Sequence, residues 1–334
     1  MGGYVLRRTL LVVPVVWGAV SLLFVVFFLL PGDPVELMSG GERAVNAETR
    51  AAIEAKYGLD RPWYEQYGRF WSQVAQGDLG VSFSQGRSVN AILAETAPAS
   101  VRLAFWAVVL EVLIGVTAGV LSAVRRRSFV DALATVSTTV AVAVPVFVLG
   151  YLLQYLLGVY AFRHDFPDWA RFPVQGIGPD SWALFVVPTG SQWKYLALPA
   201  VTLASVSTAV VARMTRATML DVLGADYMRT AAAKGLPRRT AIVKHGLRNA
   251  LVPVVTLVGL DLGALIGSAV LTEAVFGWPG MGLAIQGAIT SLDAPIVLGL
   301  SLVLVAAYVV INLLVDLSYA LLDPRVRYGK AGAR

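Results

Sequence analysis

The run Gly224-Ala-Asp-Tyr-Met-Arg-Thr-Ala-Ala-Ala-Lys-Gly-Leu-Pro-Arg-Arg-Thr-Ala-Ile-Val-Lys-His-Gly-Leu-Arg-Asn-Ala-Leu-Val-Pro253 is polar, basic and rich in helix formers. It lies between hydrophobic segments long enough to cross a bilayer, so its reading decides what those segments belong to. Asp226 is placed to cap a short helix, its carboxylate accepting from free backbone N–H groups. Ala231, Ala232 and Ala233 favour helix and let another protein approach closely. Gly235 follows Lys234 where a helix would stop in a left-handed turn, which glycine adopts at least cost. Pro237 then opens the next helix. A short rod, small side chains and a fixed turn are what a force-transmitting loop needs; the competing reading is a solvated basic connection.

Outward from this loop the chain belongs to a membrane. Of its 334 residues 57% are hydrophobic and 14% charged, whereas soluble domains carry about 25% charged residues. Six segments have the roughly 20 apolar residues that a spanning helix needs: Thr9–Leu30, Val101–Val124, Leu133–Val159, Leu196–Met214, Ala250–Leu271 and Ile296–Leu322. The first is longer than the roughly 7–15 residues of a signal-peptide core, and Pro31-Gly-Asp-Pro34 stands where a cleavage site would be. A retained span is expected, with a cleaved signal as the alternative. In the fourth, Thr202, Ser205, Ser207 and Thr208 dilute the hydrophobicity, as in a helix that faces a polar cavity or packs through small residues.

Lys and Arg concentrate on the cytoplasmic side of short loops. With the N-terminus inside, 17 of the 27 basic residues fall in inner segments and nine in outer loops. Both termini are therefore expected in the cytoplasm of a multi-pass cell-membrane protein. The +6 net charge is spread over four inner segments, a pattern of membrane asymmetry and not of nucleic-acid binding. The expected organisation is an N-terminus and first span (1–30), an extracytoplasmic region (31–100), a transmembrane core (101–322) containing the loop 215–249, and a cytoplasmic tail (323–334). In the first outer region, Glu48–Tyr57 reads as a helix stopped by Gly58, and Pro62–Val74 as a second. The second outer loop, 160–195, is rich in Trp, Phe, Pro and Gly; its Trp169, Trp182 and Trp193 suit a membrane interface, and no fold is assigned to it.

Three acids lie in or near spans: Glu111, Asp261 and Asp316. Intramembrane carboxyls suggest a proton or substrate path, so Glu111 and Asp261, with Ser205 and Ser207, are candidate translocation-path residues. A structural role is the stronger reading for both acids, and an interfacial one for Asp316. There is no cysteine, and His164 and His245 fall on opposite sides, so neither thiol chemistry nor a shared histidine metal site is available. No Gly-x-x-x-x-Gly-Lys-Ser/Thr phosphate loop occurs, so ATP hydrolysis by this chain is not expected.

Tyr227-Met-Arg-Thr-Ala-Ala-Ala-Lys-Gly235 resembles the cytoplasmic coupling loop of ABC importer permeases, most closely the dipeptide/oligopeptide/nickel class of binding-protein-dependent systems. That class typically shows Tyr-x-Arg-Thr-Ala-x-Ala-Lys-Gly here. The Glu-Ala-Ala triplet of the broader family stands as Arg229-Thr230-Ala231, so nothing can rest on its glutamate. The likeness extends to Leu30–Pro34, Tyr57–Pro62, Gly77–Ser82, Glu273–Leu283 and Leu322–Arg327; in order, these cover nearly the whole chain. The resemblance implies an all-α membrane protein with the six transmembrane helices of the type I importer permease fold, a sizeable first extracytoplasmic loop and a cytoplasmic coupling helix. It implies coupling residues at Asp226, Tyr227, Met228, Arg229, Thr230, Ala231, Ala232, Lys234 and Gly235. It further implies a second homologous permease, two ATPase subunits that bind the ATP, an extracytoplasmic binding protein and surrounding lipid, with no cofactor in this chain. The main alternative is a proton-coupled secondary transporter using Glu111 and Asp261. Such transporters often show repeated halves, and no internal repeat is seen. A scaffold or sensor has no need of the helix-Gly-helix loop.

Overall fold

The computed structural model describes residues 2–29, 47–179 and 182–322. Among them the regular secondary structure is helical apart from one small hairpin and one isolated bridge, the all-α architecture expected. Leu30–Pro34 and the tail from Asp323 lie outside the described residues apart from Leu322, as does the Asp316 side chain.

Helix α1 (Gly2–Leu29) carries the first span with Pro14 inside it. The two short outer helices form where local signals put them: α2 (Ala47–Tyr57) and α3 (Trp63–Ala75), with Gly58 at φ 70° and Pro62 as N-cap. Helix α4 (Val89–Val124) starts twelve residues before the expected span, so the outer region already ends in helix. The third span is two helices. Val144 is extended (φ −89°, ψ 125°) before Pro145, dividing α5 (Phe129–Ala143) from α6 (Val146–Arg163). Proline crowds the residue before it out of helical geometry and donates no N–H. Then come β1 (Trp182–Ala183), β2 (Val187–Pro188), α7 (Gln192–Leu223), α8 (Asp226–Ala233), α9 (Arg238–Phe276), α10 (Met281–Thr290) and α11 (Ala294–Leu322). Helix α10 lies in the connection between the fifth and sixth expected spans, after a left-handed Gly277 (φ 56°) ends α9.

The chain divides into two compact units, residues 1–100 with 279–313, and residues 101–278 with 314–334. In the first, Val20, Leu79, Val89, Ile92, Ile285 and Leu300 form the core. Beside it the fully buried Asp293 accepts on Oδ2 from Ser82 Oγ (2.6 Å), Ser84 N (2.8 Å) and Ser84 Oγ (2.7 Å). These bonds fasten the 77–88 connection to the start of α11, and they satisfy a carboxylate that burial would otherwise penalise.

In the second unit α7 is the centre, packing against α5, α6 and most extensively α9. Its most apolar window is 56% buried, against 22–33% in the other long spans. Thr202 and Thr215 are fully buried. The approach of α4 is set by Gly115 and Gly119: a Cβ on Gly119 would stand 2.5 Å from Thr215 Cβ and 2.6 Å from the Ala212 carbonyl oxygen. Close packing through small residues accounts for the part of α7 around Thr208, Ala212 and Thr215, while Ser205 and Ser207 remain half-buried. The second outer loop is organised by side chains from the spans. Gln154 Nε2 donates to the carbonyls of Val174 (2.7 Å) and Val275 (2.9 Å). Arg102 donates to the Phe185 carbonyl (2.8 Å) and lies over the Trp182 and Phe185 rings, while Trp106 donates to the Val186 carbonyl (2.7 Å). They hold a hairpin whose turn residues Leu184 and Phe185 have positive φ (47° and 66°).

Candidate coupling site and intramembrane carboxyls

Helix α7 runs to Leu223, and α8 begins three residues later through an extended Ala225 (φ −73°, ψ 150°). Ala225 is the N-cap, which corrects the reading of Asp226. Asp226 already has helical geometry, and its carboxylate pairs with Arg229 one turn on instead of with backbone N–H groups. Thr230 Oγ1 donates to the Asp226 carbonyl (3.0 Å). One face of α8 is seated, with Met228 buried and Ala231 half-buried; Asp226, Tyr227, Arg229, Thr230, Ala232, Ala233 and Lys234 are exposed. The helix closes as the sequence suggests. Gly235 has φ 78°, its N–H donates to the Ala232 carbonyl (2.9 Å), and Leu236 N–H donates to the Ala231 carbonyl (3.2 Å). Pro237 caps α9.

The rod is fixed to the next span. Tyr227 OH accepts from Asn249 Nδ2 (3.1 Å), which also donates to the His245 carbonyl (3.0 Å). Beneath it Ala123, Met219, Ile242 and Ala250 form a small core joining α4, α7 and α9. Displacing α8 therefore displaces the start of α9. Asn249 was not singled out from the sequence, since nothing local distinguishes it from any other polar residue.

A second polar arrangement near the same end also escaped the sequence reading. Ser128 caps α5, and Asp131, with a side chain only 9% exposed, accepts from both Arg216 Nε (2.8 Å, Oδ1) and Arg216 NH2 (3.0 Å, Oδ2). Ser122 Oγ donates to Oδ1, and Arg127 N–H donates to Oδ2 (2.9 Å). This bidentate pair ties α4, α5 and α7 together, seven residues before α7 ends. The signal available was Ser-x-x-Asp at an expected helix start.

The four candidate path residues fall in different settings. Glu111 is fully buried, and neither carboxylate oxygen has a hydrogen-bond partner among the described residues. It shares a face with Gly115 and Gly119 at four-residue steps, the face that packs on α7. Asp261 on α9 is half-buried, its Oδ2 also without a described partner, and it lies near enough to Glu111 for electrostatic interaction. Ser205 is half-buried and donates to the Thr202 carbonyl one turn back (2.8 Å); Ser207 is half-buried. The two acids interact electrostatically, and the serines lie on α7 within one turn of Thr208, whose carbonyl oxygen faces Gly115 of α4. No group of three or more His, Asp or Glu suited to a metal occurs among the described residues.

Comparison with known proteins follows the same lines. Residues 115–328 match the family described as binding-protein-dependent transport system inner membrane component, and residues 1–104 match the family of its N-terminal part. The chain is 36% identical to the dipeptide transport system permease protein of Escherichia coli strain K12, over 98% of this chain and 99% of that one. It is 35% identical to the glutathione transport system permease protein of Escherichia coli O6:H1, over 98% and 100%. A probable D,D-dipeptide transport system permease protein of strain K12 is 40% identical over 94% of each.

Proposed function

Because the chain belongs to the family of binding-protein-dependent transport system inner membrane components, we propose that it forms half of a translocation path for short peptides or a related small solute, worked by an ATPase that docks on α8. Membership implies an ATPase, a substrate-binding protein and a second permease as partners. The finer reading is two ATPase subunits, which bind the ATP, with both termini of this chain on their side of the membrane. Peptide cargo is suggested by the names of the relatives, whose substrates are dipeptides and glutathione. The secondary-transporter alternative draws no support from this family.

The observation that carries the reading is the two-sided character of α8. Met228 and Ala231 seat it, Tyr227 links it to Asn249, and Arg229, Thr230, Ala232 and Lys234 are left outward. A helix held this way is a handle. Arg229→Glu reverses charge on the outward face without touching the seated one. In the assembled complex in liposomes, the variant should insert normally while losing at least tenfold in uptake and in ATPase stimulation by loaded binding protein. Wild-type values for both would overturn the docking assignment.

A further inference from the structure

The first unit contains a cavity of about 220 Å³ outside the coupling machinery. Arg61, Gln66, Arg69 and Gln73 supply its polar lining, and Phe24, Phe70, Phe83 and Leu298 its apolar part. Arg69 engages no ion pair or hydrogen bond among the described residues. Its guanidinium instead lies against Gly58, where a Cβ would come within 2.7 Å of it, so a larger residue there would push the cation away. Arg61 has only an exposed contact with Glu65 at 3.4 Å, and solvent leaves such a pair weak. Two exposed guanidiniums and two carboxamides thus border one space; among them Gln66 Nε2 also donates to the Arg61 carbonyl (2.8 Å).

The depth of the cavity narrows what would enter it. Phe24 lies five residues before the end of α1, and Leu298 lies four after the start of α11. At 1.5 Å per residue the apolar part sits about 6–8 Å along the helices from Leu29 and Ala294; for spans that meet the membrane surface near those residues, this is the level where headgroups give way to acyl chains. The arginines come from the short helices and connection above it. We propose that this cavity binds a membrane phospholipid by its phosphate, with Arg61 and Arg69 on the phosphate oxygens and the glycerol end against Phe24 and Phe70. Guanidinium forks match phosphate oxygens well. A soluble anion would leave the aromatic floor without a counterpart. The assignment needs only the membrane reading of α1 and α11; it does not depend on cargo, orientation or the docking of α8.

The test is native mass spectrometry of the whole assembled complex, delipidated and then incubated with dioleoyl phosphatidylglycerol. The wild type should retain one more phosphatidylglycerol than the Arg61→Gln/Arg69→Gln double variant, with retention at that site reduced at least fivefold. Gln73→Glu, which adds a negative charge to the lining, should act in the same direction, and equal melting temperatures would certify folding. Diacylglycerol, which lacks the phosphate, should not discriminate between the proteins. Equal phosphatidylglycerol retention in wild type and variants would overturn the proposal. Displacement of the lipid by millimolar inorganic phosphate would also overturn it in favour of a free-anion site, and displacement by alanyl-alanine in favour of a peptide subsite. None of these readouts involves transport, so failure here leaves the permease reading untouched.

Discussion

Gly235 sits at φ 78° with open space where a Cβ would be, so a substitution there meets a backbone cost and no clash. Left-handed geometry costs an L-residue about 1–2 kcal/mol, and a β-branched one is a true outlier there. Gly235→Val should therefore turn α8 out of line, leaving membrane insertion normal and reducing binding-protein-stimulated ATPase and uptake together. Gly235→Asn, which tolerates the left-handed region, should keep most of both. Equal, full activity in the two variants would remove the turn from the mechanism. This residue, Gly58 and Pro237 were legible because each answers a demand of the chain within a few residues. Asp226 was misread as a cap because an exposed acid at a helix start has two local outlets, and Arg229 three residues on supplied the other. Tyr227 was legible as part of a motif; its bond to Asn249, 22 residues away, was not.

The same division between near and far holds for elements. Spans are visible in sequence because hydrocarbon forbids unpaired backbone groups and leaves few alternatives to a long apolar helix. The break at Pro145 was not decidable from proline alone, because Pro14, Pro98, Pro199 and Pro253 lie inside continuous helices, and hydropathy runs straight through it. Gly115 and Gly119 announce a close helix contact by spacing, but no local rule says that α7 receives it. Nor does any rule pair Asp131 with Arg216, 85 positions later. That pair yields a sharp expectation. Removing one member leaves its partner's charge without its counterpart, at a cost below the roughly 3–5 kcal/mol of a fully buried pair, because a third of the Arg216 side chain is exposed. Asp131→Ala and Arg216→Met should each lower the melting temperature of the detergent-solubilised complex. The double variant Asp131→Leu/Arg216→Met should fall less than the two single losses combined. Additive losses would mean that the pair is not a coupled unit.

At the scale of the molecule, the expectation is an outer 31–100 region and an inner coupling loop, and the absence of cysteine makes it directly measurable. Gln85 and Arg126 are exposed, and neither side chain supports the Asp293 or Asp131 arrangements. Gln85→Cys should react with a membrane-impermeant thiol reagent in intact cells, and Arg126→Cys only after permeabilisation. The opposite pattern would invert the orientation. The loop 160–195 resisted reading because its contacts come from Gln154 on α6, which precedes it, and from Arg102 and Trp106 on α4, some 80 positions earlier. Helix α7 carries a further consequence, for biogenesis. Its best window has a mean hydropathy of 1.7, above the 1.5 of α6 but below the 2.1–2.6 of α4, α9 and α11. It packs on α4, α5 and α6, which leave the ribosome first, but its largest contact is with α9, which leaves later. During synthesis there is thus an interval in which this helix lacks its largest packing partner. Shelter in that interval falls to α4, α5 and the insertion machinery, so the order of translation is part of how this helix comes to rest in the bilayer.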